Sequence, residues 1–84
     1  MTSLATCICV WDPKTDKMLF EGSSATIGLE DIRAVIGPDA FPEDPDIIAV
    51  HPITHEQGLR LIEMMGLRFE GDGEFQISRE IVDA

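Results

Sequence analysis

The apolar and polar positions along the chain first predict a β-hairpin. Leu4–Trp11 is dense in β-branched and aromatic residues, as is typical of a strand. Asp12–Asp16, with the sequence Asp-Pro-Lys-Thr-Asp, has the composition of a turn. Lys17–Glu21 then predicts the returning strand. Together these segments indicate a hairpin at the start of the chain.

Two later segments have apolar residues at helical spacing. Leu29–Ile36 is apolar at four helically spaced positions, and Gly37 followed by proline is a stop signal. Thr54 and Gln57 have the spacing of a capping box, which predicts the start of a second helix. We expect that helix to end at Gly66.

The remaining segments predict three more strands. Pro38–Asp46 is rich in proline and acid and predicts a surface loop, and the apolar run Ile47–Val50 predicts a buried strand. Leu67–Glu70 and Glu74–Val82 predict two strands joined by a hairpin turn at Gly71–Gly73. The order β-β-α-β-α-β-β therefore predicts a single α+β domain, with two helices packed on a small, mostly antiparallel sheet of about five strands.

The charge balance sets the kind of partner that the sequence predicts. The 84 residues contain sixteen acids and six bases, a formal net charge of −10. Such a charge repels nucleic acids and anionic membranes and attracts basic surfaces. We therefore expect a basic protein partner and neither direct nucleic-acid binding nor membrane binding, although the acids could serve solubility alone. With no leader or long apolar run, the sequence predicts a cytoplasmic protein and leaves its oligomeric state open.

The sequence offers little nucleophilic chemistry. Cys7 and Cys9 lie on the predicted apolar first strand, where burial raises a thiol pKa and lowers reactivity. No second cysteine pair is present to complete a four-ligand zinc site, so both are expected to be free thiols. A Gly-x-Ser-x-Gly nucleophile motif is also missing. We expect a protein that is not an enzyme.

Two histidines are the remaining candidates for metal binding. His51 and His55 could bind a metal together with Asp46 or Glu56, but nothing in the pattern requires the two rings to converge. The acids of the Pro38–Asp46 loop lack the spacing of a calcium-binding loop. The sequence therefore predicts no metal and no cofactor.

Several short elements in the central part of the chain resemble the phage uracil-DNA glycosylase inhibitor family. The resemblance covers about Thr15–His51, under half of the chain. Its matching elements are Thr15–Phe20, Glu30–Ile32, Val35–Gly37, Asp46–Ile48 and Val50–His51. The family's Glu-Ser-Ile element aligns here with Ser23, Ser24 and Ala25, so its acid is missing in register. The predicted C-terminal helix and hairpin also differ from the strands of that family.

The resemblance implies a DNA mimic, whose acids occupy the DNA-binding groove of a glycosylase and whose hydrophobic pocket receives an apolar side chain. It implies a contact strand ending around Glu21–Ser24, with Asp31 matching a family glutamate. The pocket residues would be Ile32, Val35 and Ile36. With the other acids of the first helix and the loop, the candidate partner-binding residues are Glu21, Ser23, Ser24, Glu30, Asp31, Asp39, Glu43, Asp44 and Asp46.

Two functions stay open at this point. The first is an acidic inhibitor of phage or mobile-element origin that masks a nucleic-acid-binding enzyme, with a uracil-DNA glycosylase as the specific candidate. The alternative is an immunity-, antitoxin- or subunit-type interaction module without catalysis. That module would dock through an exposed apolar patch, for which the candidates are Met64, Met65, Leu67 and Phe69.

Overall fold

The computed structural model describes residues 2–83, which form one four-stranded antiparallel sheet and two helices. The elements are β1 (Thr2–Trp11), β2 (Met18–Ser24), α1 (Leu29–Ile36), β3 (His51–Ile53), α2 (His55–Met64) and β4 (Glu74–Asp83). The strand order is β2-β1-β4-β3, and each neighbouring pair is antiparallel. The predicted α+β class is confirmed, with four strands in place of about five.

The N-terminal hairpin is confirmed, and its turn is closed by local hydrogen bonds. The Asp12 amide donates to the Lys17 carbonyl at 2.8 Å, and the Lys14 amide donates to the Asp12 carboxylate at 2.9 Å. Asp16 adopts a left-handed conformation at φ 57, which aspartate tolerates better than most residues. The chain therefore reverses within the predicted turn, and β2 continues three residues beyond the predicted end.

The end of α1 and the start of α2 have the predicted capping chemistry, and α2 ends at Met64, shortly before the predicted Gly66. Helix α1 has the predicted bounds, and Gly37 ends it at φ 107 with its amide donating to the Arg33 carbonyl. At the start of α2, Thr54 Oγ1 accepts from the Gln57 amide at 3.1 Å. The Gln57 side chain in turn accepts from the Thr54 amide at 3.0 Å. These bonds satisfy amides that have no partner inside a helix.

Both helices pack on the same face of the sheet and enclose the hydrophobic core. Helix α2 approaches β4 so closely at Gly58 that any Cβ there would overlap the Phe75 ring. Glycine at this position lets the helix backbone lie against the sheet. The core contains Ile8, Val10, Ile27, Ile32, Ile47, Leu61, Ile62, Phe75 and Ile77.

The prediction of a strand at Ile47–Val50 is wrong. Ile47 lies in the left-handed region at φ 54, which is incompatible with an extended strand, and its side chain is buried in the core. The carboxylate of Asp44 accepts a hydrogen bond from the Ala49 amide and so holds this segment as a loop. The apolar run serves to anchor the loop, and pairing with the sheet begins only at His51.

The prediction of a C-terminal hairpin is also wrong. Residues 67–70 are not a strand. The edge of β4 with which they would pair is occupied at Phe75–Ile77 by β3, and the other edge pairs along all ten residues with β1. The 67–70 segment instead places Phe69 against the rings of Phe20 and Phe75, with centroid distances of 5.6 and 5.8 Å.

Candidate protein-binding surface

One face of the sheet carries no helix. Side chains alternate between the two faces of a strand, and those that point away from the helices form what we call the open face. Cross-strand pairing places its residues in rows across β2, β1 and β4. The open face comprises Ala5, Cys7, Cys9, Trp11, Glu21, Ser23, Glu74, Gln76, Ser78 and Glu80.

The open face has negative charge and no compensating base. Its three carboxylates, Glu21, Glu74 and Glu80, are all exposed, and no lysine or arginine belongs to the set. Glu21 lies opposite Cys9 from β2, whereas Glu80 and Glu74 lie opposite Ala5 and Trp11 from β4. The carboxylates therefore lie on both sides of the central strand, and the face presents an uncompensated negative charge.

The environment of the open face raises the pKa values of its two thiols. Burial is the main cause that raises the pKa of Cys7 to about 12, followed by a hydrogen bond with Glu80 and the negative charge of Glu80 and Glu21. Burial and the same two carboxylates also raise the pKa of Cys9. Both thiols are free and stay protonated at neutral pH, so neither is activated as a nucleophile.

Only part of the predicted contact strand reaches the open face. Glu21 and Ser23 point outward and are exposed. Ser24 alternates to the other side of β2, where its hydroxyl lies 2.8 Å from Thr26 Oγ1. The contact residues that the resemblance implies therefore lie on both faces of β2, and only Glu21 and Ser23 belong to the open face.

The predicted acids of α1 and the following loop lie on other surfaces. Glu30, Asp39 and Glu43 are exposed and belong to the helical side of the chain rather than to the sheet. Asp31 has a structural role, because its carboxylate accepts a hydrogen bond from the Gly28 amide at 3.0 Å and so caps α1. The sequence did not reveal that these acids and Glu21 would be distributed over separate surfaces.

Two arginines lie against the acidic loop. Arg33 Nη2 donates to the Pro45 carbonyl at 2.7 Å, and Arg79 Nη1 donates to the Asp46 carbonyl at 3.1 Å. Asp44 bonds to His51, with Oδ2 and Nε2 2.7 Å apart. The loop therefore has cations beside its acids, and one of those acids is used to hold the loop in place. No lysine or arginine lies among the open-face residues.

The residues predicted to line an apolar pocket belong to the core or its margin. Ile32 is completely buried, and Val35 and Ile36 are partly buried against the same core. Ile32 has no exposed surface with which to receive a partner's side chain.

The two histidines bind different partners. The His51 ring stacks on Phe41 at a centroid distance of 4.2 Å and bonds to Asp44. His55 Nε2 lies 3.1 Å from the Gly71 carbonyl oxygen. Within residues 2–83, no group of three or more histidine, cysteine, aspartate or glutamate side chains is arranged to hold a metal ion.

A second exposed surface is apolar and lies along α2. Met64 and Leu67 are 40 % and 43 % exposed, whereas Met65 and Phe69 are partly buried against the core. Leu59 and Met64 line a shallow groove whose polar walls are Glu56, Arg60 and Glu63. Two of the four predicted patch residues therefore present substantial apolar surface.

Two open-face acids, Glu74 and Glu80, are not among the partner-binding residues predicted from the sequence. The sequence predicts Glu74 only as the first residue of a hairpin strand. The signal was the period-two alternation of the last strand, in which Glu74, Gln76, Ser78 and Glu80 are polar and Phe75 and Ile77 between them are apolar. That alternation predicts one buried face and one solvated, acidic face.

Comparison with known protein families, with curated proteins and with solved structures finds no match to this chain. The class of molecule is therefore defined by its fold and surfaces alone, as a small α+β domain with one acidic, helix-free sheet face. Neither helix within residues 2–83 has the length and apolar character needed to cross a bilayer.

Proposed function

We propose that this chain is an acidic binding protein that masks the basic surface of a nucleic-acid-binding protein through the open face of its sheet. The observation that carries the proposal is the segregation of charge. Three exposed carboxylates lie on one strand-built surface without a base, whereas Arg33 and Arg79 are bonded to the loop on the helical side. A surface of this kind is complementary to a groove that evolved to bind phosphates.

The open face is suited to docking because its side chains project from strands. Glu21, Glu74 and Glu80 are fixed at their Cα positions by the ladders of β2 and β4 with β1. Carboxylates on paired strands lose less conformational freedom on binding than carboxylates on a loop. Between Ala5 and Trp11 the face extends roughly 20 Å along β1, since a strand rises about 3.3 Å per residue.

The nature of the partner that we propose follows from the charge of the chain. The formal charge of −10 speeds encounter with a basic protein and disfavours approach to nucleic acid. The specific partner that we propose is a uracil-DNA glycosylase, on the strength of the resemblance between Thr15 and His51. Under this proposal the chain inhibits that enzyme by competing with DNA, without catalysing a reaction.

A glycosylase inhibition assay tests this function. Purified chain is titrated into a bacterial uracil-DNA glycosylase that cleaves a uracil-containing duplex, at low and at moderate salt. We expect inhibition that competes with duplex DNA and weakens as salt rises. Each exposed charge pair contributes about 0.2–1 kcal/mol, so the triple change of Glu21, Glu74 and Glu80 to glutamine should weaken inhibition by about threefold to a hundredfold.

The matched control changes the same charge on the helical side. Glu30, Glu56 and Glu63 are exposed on α1 and α2, and their change to glutamine should leave inhibition within about twofold, since long-range charge effects are screened at moderate salt. If the chain inhibits the glycosylase neither at low nor at moderate salt, the glycosylase is not its partner. Equal losses in the open-face and helical-side variants would remove the open face as the binding surface.

The exposed apolar side chains of Met64 and Leu67 favour a second candidate function, an interaction module of the immunity, antitoxin or subunit type. Its binding would depend on the exposed side chains of Met64 and Leu67 and would change little with salt. Met64→Lys and Leu67→Lys would then abolish binding to a captured partner, while the open-face triple variant would retain it. The opposite pattern supports the acidic open face.

A further inference from the structure

Trp11 is a large aromatic residue that the hydrophobic core does not use. The chain has four phenylalanines, one tryptophan and no tyrosine. All four phenylalanines belong to the core or pack against it, each in an aromatic pair. Trp11 instead lies on the open face, is partly exposed, and belongs to none of the aromatic pairs among residues 2–83. Tryptophans in this position are common in protein interfaces, because the ring offers a large surface to a partner.

Two carboxylates of the open face lie beside this ring. Glu74 is the cross-strand partner of Trp11 on β4, which places their Cβ atoms about 5 Å apart. Glu21 lies on the other side of β1, opposite Cys9, the next open-face residue along that strand. Such a diagonal neighbour is within reach of a long side chain. The indole therefore has a carboxylate on β4 and another on β2.

No base of the described chain neutralises these two carboxylates. The salt bridges among the described residues involve neither Glu21 nor Glu74. Lys14 and Lys17, the bases nearest to Trp11 along the chain, are exposed residues between β1 and β2 and take part in none of those salt bridges. An aromatic ring beside uncompensated carboxylates is complementary to a cation that comes from outside the chain.

We propose that Trp11 receives an arginine side chain of the basic partner, with the guanidinium stacked on the indole and bonded to Glu74. The inference rests on the proposed docking through the open face, and it names one side chain that the partner presents there. Arginine fits this position better than lysine, because a planar guanidinium stacks on an aromatic ring and pairs with a carboxylate at the same time. Surfaces that bind phosphates commonly carry arginine for the same bonding geometry.

The chain supplies its own spectroscopic readout for this site. Trp11 is the only tryptophan, and no tyrosine is present, so the intrinsic fluorescence of the protein reports on the indole directly. A short arginine peptide is titrated into the parent chain at low salt, and a lysine peptide of the same length is titrated in parallel. We expect the arginine peptide to change the emission of Trp11 and the lysine peptide to change it far less.

Dye-labelled peptides extend the test to variants without the indole. Fluorescence anisotropy of the dye should show that the parent binds the arginine peptide roughly two- to fivefold more tightly than the lysine peptide. Trp11→Leu should remove this preference. Trp11→Phe should keep part of it, because a phenyl ring also attracts a cation, though less strongly than an indole. Circular dichroism spectra check that both variants are folded.

The carboxylate of the site has a matched control. Glu74→Gln should weaken binding of the arginine peptide roughly two- to fivefold. Glu63→Gln makes the same charge change at an exposed residue of α2 and should have a much smaller effect at the same salt concentration. Equal effects of the two changes would show that the peptide responds to the net charge of the chain and not to the site at Trp11.

The peptide measurements separate this inference from the proposed function, because they contain no glycosylase. If the parent binds neither peptide or binds both equally well, or if Trp11→Leu keeps the preference for arginine, the arginine site is wrong whatever the glycosylase assay shows. A chain that does not inhibit the glycosylase, but loses its preference for arginine in Trp11→Leu, has the proposed arginine site and a different basic partner.

Discussion

Cys9 and Glu21 face each other across β1 and β2, with Cys9 Sγ 4.0 Å from Glu21 Oε2. The thiol and the carboxylate share the open face, where Glu80 approaches Cys7 from the other side. The central strand of the acidic face thus carries two thiols whose pKa values are raised first by burial and then by the surrounding carboxylates. These thiols can therefore report the charge of the proposed binding surface.

We expect both thiols to react slowly in the folded protein. Burial and the negative charges of Glu21 and Glu80 raise both thiol pKa values, so the nucleophilic thiolate is scarce at mildly alkaline pH. Alkylation by iodoacetamide, followed by mass spectrometry, should be much slower in buffer than in urea. Glu30→Gln should not change the folded rate, whereas Glu80→Gln should increase it at Cys7. Equal rates in folded and unfolded chain would contradict the assigned environment.

The raised pKa of Cys7 should also make the free energy of unfolding fall at alkaline pH. The pKa of Cys7 is about 12 in the folded chain and 9.0 in the unfolded chain. Its contribution to stability is therefore complete below pH 9.0 and is lost as the pH rises from 9.0 to about 12. The chain has no tyrosine, so few other side chains titrate in this range. Urea unfolding at a series of alkaline pH values should show a steep fall in stability, and Cys7→Ser should make it shallower. An unchanged slope in this variant would contradict the prediction.

Asp44 should contribute to stability at neutral pH and lose that contribution in acid. The hydrogen bond from His51 and the Ala49 amide lower its pKa below the ordinary value of 3.8. Because the pKa of Asp44 is lower in the folded chain, its contribution to stability is complete at pH values above the ordinary pKa. That contribution is lost as the pH falls through the pKa of the folded chain. Asp44→Asn should therefore destabilise the chain more at neutral pH than in strong acid, as measured by urea unfolding. Glu43→Gln, at an exposed neighbour, should have little effect at either pH.

Gly58 should not tolerate a larger side chain. A Cβ at this position would overlap the Phe75 ring, so Gly58→Ala should destabilise the fold by about 1–3 kcal/mol despite the higher helix propensity of alanine. Arg60→Ala, at an exposed site on the same helix, should change stability by less than about 0.5 kcal/mol. Thermal and urea unfolding measure both. A stabilising effect of Gly58→Ala would show that the helix and sheet are less closely packed at this contact.

Thr54 should contribute a measurable part of the stability of α2. Its hydroxyl accepts from the Gln57 amide, and Thr54→Ala leaves that amide without its partner. The expected loss in the free energy of unfolding is about 1 kcal/mol, whereas Thr54→Ser should be nearly neutral because serine caps equally well. If both variants unfolded at the same urea concentration as the parent, the capping box would not contribute.

The acidic site was only partly predictable from sequence. Glu21 and Ser23 were identified and lie on the open face, and the alternation around Glu80 could have revealed the rest of it. The assignment of Asp31 and Asp44 to the contact set could not be refined from sequence, because their carboxylates bond to Gly28 and His51 in the folded chain. The sequence gives the number of acidic residues. It does not show which of their carboxylates make hydrogen bonds within the folded chain.

By itself, the sequence determined the α+β class, the N-terminal hairpin and both helices, since turns and caps depend on residues that are close along the chain. Gly37 and Thr54 hydrogen-bond with residues within one helical turn. Their effect on where a helix ends or begins therefore does not depend on the rest of the fold. The tertiary structure alone decided that β4 pairs with β1 and that Ile47 leaves the sheet to fill the core. These outcomes depend on competition between distant segments for the same ladder and the same apolar volume, which local pattern does not encode. That same pairing brought Glu80 to the face of Glu21.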